Sequence, residues 1–247
     1  MAGDLYLVPN VLASPGASGH PLEVMPTRAL AIASSLDYFI AENAKTARAF
    51  LKSVALTHPL AKPLQHIRIE ELNVRTEAGR LPELLSPIEN GANAGLLSEA
   101  GVPAVADPGA ELVRAAHARR IRVIPLVGPS SILLALMASG LNGQSFAFNG
   151  YLPVDAGERA KKIRQLETRS RQERQTQIFI ETPYRNAALL DALVQQCQSD
   201  TLLCVATNLT LESEQVRTKT IGQWRQTGEP ERGRLQKQPT VFLFLAG

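Results

Sequence analysis

Residues able to do chemistry follow several of the apolar segments that the sequence predicts to be strands. The carboxyl ends of parallel strands meet at one edge of a sheet, where ligands of open α/β folds bind. If these strands are parallel, we expect a composite pocket at that edge. Five apolar segments are followed by small or polar residues, which are Pro9-Asn10, Glu42-Asn43, Ser98-Glu99, Gly128-Pro129-Ser130-Ser131 and Glu181-Thr182-Pro183.

The stretch from Leu96 to Gly109 has the most unusual composition of these ends. Two leucines suit a buried strand, and the loop after them holds two glycines, two prolines and two acids before a helical pattern begins at Glu111. Glycine and proline fix the backbone and leave little side chain, so a ligand can approach peptide groups closely. A rigid strand-to-helix connection without a ligand is the alternative, and the loop alone does not decide between them.

Common nucleotide and hydrolase motifs do not occur in this sequence. It has no G-x-G-x-x-G after the first strand, no G-x-x-x-x-G-K-[ST] and no G-x-S-x-G. A classical dinucleotide site, a P-loop and a serine-hydrolase elbow are therefore unsupported. Cys197, Cys204 and the four histidines show no metal-ligand spacing, so we expect no metal.

Strand and helix patterns alternate along the first half, which predicts an α/β fold with a parallel sheet and right-handed crossovers. Predicted strands lie at 5–8, 37–41, 67–69, 96–97 and 122–127, and predicted helices at 27–36, 46–54, 81–88 and 111–119. Gly128-Pro129 ends this alternation. We expect two α/β domains, N-terminal 1–127 and C-terminal 128–247.

The second half changes character. Helices are predicted at 130–139, 158–174 and 186–197, and strands at 146–148, 177–181, 202–206 and 240–245. The stretch between the last two strands is expected to be antiparallel or irregular. The helix at 158–174 carries seven Lys or Arg against three Glu. It can contact phosphates, although a solvated helix face is the commoner reason for such a run.

Composition describes an ordinary globular protein. The chain has 247 residues, of which 45% are hydrophobic and 20% charged, and a net charge of +3 that permits an acidic partner such as RNA. Asp4 and the lack of a basic-then-apolar start argue against a signal peptide. The uncharged stretch from Val123 to Val154 is interrupted by proline and glycine, so we expect no membrane span and a cytoplasmic protein.

Five segments in order match the motifs of one enzyme family. The stretch Ser98-Glu99-Ala100-Gly101-Val102-Pro103 with Asp107-Pro108-Gly109 is close to S-D-A-G-T-P-x-x-x-D-P-G. Similar matches are Leu5 to Pro9, Pro125 to Ser130 (P-L-P-G-P-[SC]), Phe148 to Pro153 (F-x-G-[FY]-L-P) and Glu181 to Arg185 (E-[ST]-[PT]-H-R). In these motifs the chain resembles the tetrapyrrole-methylase superfamily of class III S-adenosylmethionine-dependent methyltransferases, and within it the branch acting on ribose 2′-hydroxyls of small-subunit (16S) ribosomal RNA.

The resemblance implies two α/β domains with S-adenosylmethionine in the cleft between them, usually in a homodimer, and rRNA or a ribosomal subunit as partner. Such a lining suits the cofactor, because adenine needs an apolar slot and the sulfonium tolerates carbonyls better than a lysine. Carried over by position, the cofactor-binding residues are Pro9, Leu12, Ser98, Glu99, Ala100, Gly101, Val102, Val105, Ser130, Ser131, Ile180, Leu209, Pro239 and Thr240.

The acceptor side departs from the family pattern. The family's E-D-T-R is Glu42-Asn43-Ala44-Lys45 here, and its A-R-E-L-T-K is Ala206-Thr207-Asn208-Leu209-Thr210-Leu211. A small-residue loop at 13–21 also replaces a shorter turn. The cofactor half of the site is therefore better supported than the acceptor half.

Methyl transfer from a sulfonium needs alignment more than a nucleophilic triad, whereas a ribose hydroxyl benefits from a base or a polarising group. Our candidates for that role are Glu42, Lys45, Glu181 and Arg185. Strand-end capping is the alternative role for them, as is a Glu–Arg pair that holds the two domains together. Two other functions stay open: a methyltransferase of the same fold acting on a tetrapyrrole or other small molecule, and a non-catalytic relative that binds cofactor or RNA.

Overall fold

The computed structural model describes residues 2–12, 21–226, 235 and 237–247. Residues 13–20 of the small-residue loop lie outside this description. The chain forms two compact units, Met1–Ser130 and Ser131–Gly247. Each unit contains one five-stranded sheet with helices packed against it. The predicted α/β fold class is confirmed.

The first unit contains a parallel sheet, in which strands and helices alternate as predicted. The strand order is β3-β2-β4-β1-β5, and every pairing is parallel. Its strands are β1 (Asp4–Val8), β2 (Tyr38–Ala41), β3 (Arg68–Glu71), β4 (Ala94–Leu97) and β5 (Arg122–Pro125). Its helices are α1 (Thr27–Ser35), α2 (Ala44–Val54), α3 (Leu81–Glu89) and α4 (Gly109–Ala118), with short 3-10 helices at Pro21–Val24, Leu64–His66 and Ala78–Arg80.

Both faces of this sheet are buried. One face packs with α1 and α2 around Phe39, Phe50 and Leu51, and the other packs with α3 and α4 around Ile40 and Leu112. The central strands β2 and β4 are buried at every position, as is typical of parallel strands covered on two sides. The rigid core fixes the point at which each strand ends.

The second unit contains a mixed sheet. The strand order is β6-β7-β10-β8-β9, where only β6 and β7 run parallel and the other neighbours run antiparallel. The stretch after 206 therefore contains an antiparallel strand, as predicted. The strands are β6 (Phe146–Tyr151), β7 (Thr176–Ile180), β8 (Leu202–Thr207), β9 (Gln215–Thr220) and β10 (Thr240–Leu245). The helices are α5 (Ser131–Ser139), α6 (Ala156–Glu173), α7 (Asn186–Gln196) and α8 (Ile221–Gln226).

Aromatic residues form much of the second core. Phe179 and Phe244 pack edge to face with their ring centroids 5.4 Å apart, and Trp224 donates its indole N–H to the carbonyl of Leu203 at 2.9 Å. Phe242, Leu189 and Leu193 belong to the same cluster. Among the described residues, no helix combines the length and the apolar character that a membrane crossing requires.

Candidate functional site

Asn10 joins the loops that follow β1 and β4. Its backbone N–H donates to the Gly101 carbonyl at 2.8 Å, and the Gly101 N–H donates back to the Asn10 carbonyl at 3.1 Å. The Asn10 side-chain amide donates to the carbonyls of Ser98 at 3.2 Å and Glu99 at 3.0 Å. Only 3% of Asn10 is exposed. It is absent from the predicted set, and the available signal was its position as the first polar residue after β1.

The loop from Ser98 to Gly109 has an unusual backbone. Gly101, Ala104 and Ala106 have φ values of 72°, 65° and 63°, and alanine pays about 1–2 kcal/mol for this conformation. One oxygen of Asp107 accepts from the N–H groups of Ala104 and Gly109, both at 2.8 Å. Burial raises the pKa of Asp107. Asp107 therefore holds the loop in its strained shape.

Two glycines permit close packing beside this loop. A Cβ placed on Gly128 would lie 2.2 Å from the Cβ of Pro9, so only glycine fits there. A Cβ on Gly101 would lie 3.3 Å from Cδ2 of Leu12 and 3.5 Å from the carbonyl oxygen of Pro129. The first unit thus brings the predicted residues Pro9, Leu12 and Gly101 together. We call this region, with Ser98–Gly109 and Glu42, the first edge.

Acidic groups collect at the first edge. Glu42 follows β2, its N–H donates to the Leu97 carbonyl at 3.2 Å, and its carboxylate accepts from the Glu99 N–H at 3.5 Å. Burial raises the pKa of Glu42, and the negative charges of Glu99 and Asp107 raise it further. Stretch 96–109 contains no lysine or arginine. The edge is therefore electrostatically suited to a cationic ligand group.

Asn43 caps α2, which explains one departure from the family pattern. Its side-chain oxygen accepts from the N–H groups of Lys45 at 2.9 Å and Thr46 at 3.3 Å. Asparagine and aspartate are similar N-caps, so this substitution preserves the start of the helix. Lys45 itself is exposed on the first turn.

Four predicted residues of the second unit also lie at one sheet edge. β10 runs antiparallel to both neighbours, so its start lies beside the ends of β7 and β8, with Val241 opposite Ile180 and Thr240 opposite Thr207. The Asn208 N–H donates to the Pro239 carbonyl at 3.0 Å. We call this region, comprising 180–181, 207–209 and 239–240, the second edge. It contains the predicted residues Ile180, Leu209, Pro239 and Thr240.

Glu181 and Arg185 form an ion pair within the second unit. Arg185 Nη2 lies 2.8 Å from Glu181 Oε2, and the side chains are 32% and 1% exposed. The other carboxylate oxygen accepts from the Thr182 N–H at 2.7 Å. A pair between two domains was the alternative we considered. The pair instead joins two residues of the second unit, because Glu181 directly follows β7 and Arg185 directly precedes α7.

Buried amides complete the second edge. The Asn186 amide donates to the Gln238 carbonyl at 2.7 Å and to Thr240 Oγ1 at 3.2 Å. Asn208 adopts φ 54°, which asparagine tolerates, and its amide donates to Ser213 Oγ at 3.0 Å. Within the described part of the chain, the side-chain oxygens of both asparagines lack a hydrogen-bond partner. The departure at Thr207-Asn208 therefore forms a defined turn with a buried acceptor.

The side chains of three predicted cofactor residues make none of the contacts described above. Val105 is 49% exposed and lies beyond Ala104. Ser130 precedes α5 and Ser131 begins it. Within residues 2–12, 21–226, 235 and 237–247, no cluster of three or more His, Cys, Asp or Glu could hold a metal ion.

Two cations of the basic helix α6 lie near acids, and two others donate to uncharged groups. Arg169 pairs with Glu173 at 3.1 Å, and Arg171 lies 3.8 Å from Asp200. Arg164 donates to the Gln196 side chain, and Arg159 donates to the Val154 carbonyl. These contacts favour a solvated helix face over a phosphate-binding surface.

The sequence matches one known protein family over most of its length. The family described as Tetrapyrrole (Corrin/Porphyrin) Methylases matches residues 21–224. The chain belongs to this family. The predicted family and fold are thus confirmed.

Several relatives share the name Ribosomal RNA small subunit methyltransferase I. The protein from Mesorhizobium japonicum is 39% identical over 145 residues, which are 59% of this chain and 47% of that protein. The Synechocystis protein is 32% identical over 86% of this chain and 69% of its own length, and the Escherichia coli O157:H7 protein is 28% identical over 90% and 70%. The chain spans about half to 70% of the length of these relatives.

Solved structures share the fold of this tetrapyrrole methylase. The methyltransferase CobJ matches with a TM-score of 0.61 at 16% identity, covering 100% of this chain and 95% of CobJ. The cobalt precorrin-4 methyltransferase CbiF matches with a TM-score of 0.59 at 13% identity, covering 98% and 94%. At this level of identity the likeness concerns the fold alone.

Proposed function

We propose that this chain is an S-adenosylmethionine-dependent methyltransferase whose acceptor is a ribose 2′-hydroxyl of small-subunit rRNA. The observation that carries the proposal is the construction of the first edge. Asn10 fixes the loop of the family's signature, Ser98–Gly109, at the carboxyl ends of parallel strands, where ligands of such folds bind. The rRNA acceptor rests on the names of the relatives.

The residues present fit this cofactor. Bound S-adenosylmethionine supplies an electrophilic methyl group on a positively charged sulfur. The first edge offers backbone groups, with the carboxylates of Glu42, Glu99 and Asp107 nearby and no cation in 96–109.

Glu42 is our candidate for the group that receives the proton of the ribose hydroxyl. It is half-buried at the end of β2, and a raised pKa makes a carboxylate a better base near neutral pH. We assign Lys45, exposed beside it, to positioning the acceptor. Glu181 and Arg185 bind each other, so we assign them to holding the second edge.

Two measurements test this function. Isothermal titration calorimetry should detect binding of S-adenosylmethionine, and no heat at millimolar cofactor would remove the cofactor from the proposal. Ribose-methylation mapping of rRNA from a deletion strain should then show one lost modification that the restored gene returns. Binding without transfer to small subunits would favour a non-catalytic relative, whereas an unchanged rRNA pattern with transfer to a tetrapyrrole would favour the small-molecule enzyme.

We further propose a homodimer that works in the cytoplasm, where an rRNA acceptor would be met. The family resemblance supports the dimer, and the rRNA acceptor supports the location. Light scattering should give twice the 26.7 kDa mass of the chain. A mass of one chain at micromolar concentration would contradict the dimer and leave the activity proposal intact.

A further inference from the structure

Helix α2 carries a row of cations and no acid. Lys45, Arg48 and Lys52 are spaced i, i+3 and i+7, which places them within about 60° around the helix axis. All three are exposed. The opposite side of the helix is buried in the core of the first unit. We call Lys45, Arg48 and Lys52 the α2 row.

No described residue forms a salt bridge with the α2 row. Among the described residues, Arg48 donates only to the Ala44 carbonyl of its own helix, at 3.4 Å. Two acids bind the first turn of the helix, where Glu71 accepts from the Ala44 N–H at 2.9 Å and Glu99 accepts from Thr46 Oγ1 at 3.4 Å. The charge of the row is therefore left for another molecule.

Helix stability does not explain this arrangement. Like charges at i,i+3 and i,i+4 each destabilise a helix by about 0.2–0.5 kcal/mol, and the row contains one spacing of each kind. In α6, by contrast, glutamates interrupt the cations and Arg169 pairs with Glu173 at i,i+4. Lys52, in the last turn, interacts favourably with the helix dipole, whereas Lys45, in the first turn, does not. The row as a whole therefore adds little to helix stability, and an interaction with a polyanion would account for its like charges.

The position of the row relates it to the first edge. Helix α2 begins directly after Glu42 and the capping residue Asn43. From Lys45 to Lys52 the row extends about 10 Å along the helix axis, at 1.5 Å per residue. A linear anion lying on the row would therefore reach the first edge at its Lys45 end.

We propose that the α2 row binds the phosphate backbone of the acceptor RNA and directs a nucleotide toward Glu42. This inference rests on the proposed function, since it concerns the same acceptor. An anionic membrane surface is disfavoured, because membrane-binding helices insert large apolar residues, and those of α2 are buried in the core. Phosphate contacts of this kind supply sequence-independent affinity.

The test removes two cations of the row that lie outside the first turn. The variant Arg48→Gln with Lys52→Gln should bind a fluorescein-labelled single-stranded RNA about 25-fold more weakly at about 0.1 M salt, since each phosphate contact contributes about five-fold there. The slope of log affinity against log salt should fall by about 1.4. Fluorescence anisotropy measures both, and calorimetry should show unchanged affinity for S-adenosylmethionine.

Lys161→Gln with Lys162→Gln in α6 is the matched control, because it removes the same charge from another helix surface. The RNA affinity of this control variant should change by less than about three-fold. Equal losses of RNA affinity in the two variants, or no loss in the α2 variant, would overturn the proposal that the α2 row binds RNA. The proposed methyltransferase function would then still stand. If the wild-type protein bound no RNA, the proposal that its acceptor is rRNA would itself be contradicted. Binding to phosphatidylserine vesicles that the α2 variant loses, with RNA binding intact, would assign the row to a membrane.

Discussion

Both sheet edges bring predicted site residues together at the ends of strands, but different contacts hold the two edges in shape. At the first edge, parallel strands end side by side, and the loops are joined by backbone hydrogen bonds and the single amide of Asn10. At the second edge, an antiparallel strand begins where its neighbours end, and polar side chains bind one another. The first edge thus leaves Glu42 available for chemistry, whereas the second uses Glu181 and Arg185 for its own structure.

This difference predicts which substitutions damage folding and which damage function. Removing one partner of the ion pair at the second edge leaves a buried charge unpaired, so the free energy of unfolding should fall most for substitutions there. Substitutions at the first edge should act chiefly on catalysis and ligand binding. Four variants test this comparison, in order of decreasing free-energy effect.

Arg185→Met should cost about 3 kcal/mol of unfolding free energy, because it leaves the buried Glu181 carboxylate unpaired. For a chain of this size, Tm should fall by about 6–12 °C in a thermal melt. The double variant Glu181→Gln with Arg185→Met should recover most of the loss, since it removes both charges. A single variant as stable as wild type would show that the pair does not hold the second edge.

Glu42→Gln should slow methyl transfer about 100-fold, equivalent to about 2.7 kcal/mol on the barrier, with little effect on stability. A base must be deprotonated, so the wild-type rate should rise with pH. Because the pKa of Glu42 is raised by burial, that rise should occur above the ordinary carboxyl range.

Initial rates of transfer from radiolabelled S-adenosylmethionine give this pH profile. Cofactor affinity of Glu42→Gln, from calorimetry, serves as the control and should match wild type. An acid limb that persists unchanged in Glu42→Gln would assign the titration to another group.

Asn10→Ala should cost about 1.5 kcal/mol, because the carbonyls of Ser98 and Glu99 lose their donor. The loosened loop should weaken S-adenosylmethionine binding about ten-fold in calorimetry, where about 1.4 kcal/mol corresponds to that factor. Asn10→Asp should behave similarly at neutral pH, since a carboxylate cannot donate. Wild-type cofactor affinity in both variants would mean that Asn10 does not position the loop.

Asn43→Ala should cost about 1 kcal/mol through loss of the α2 cap, which lowers Tm by about 2–4 °C. Asn43→Asp restores the family residue and should melt like wild type, because both side chains cap the helix. If Asn43→Asp instead changed methyl transfer strongly, the departure at this position would affect the acceptor and not only the helix.

Much of the fold followed from local patterns. The alternation of apolar runs and helical periods predicted the strands of the parallel sheet, and loops rich in glycine and proline marked their ends. Hydrophobic period and turn chemistry are local properties, so a sequence reveals them. The mixed order of the second sheet was not predicted, because strand pairing depends on contacts between residues far apart in the chain.

The candidate site shows the same division. Sequence alone selected the loop from Ser98 to Gly109, since its glycines, prolines and acids are unusual after an apolar strand, and the motif order indicated the family. Tertiary structure alone paired Asn10 with Ser98 and Glu99, which are 88 and 89 residues away. It also set the Glu181–Arg185 pair within one unit, and among the described residues it left the α2 row without acidic partners. Residue types set which chemistry is possible, but burial and long-range pairing decide which side chains remain available for it.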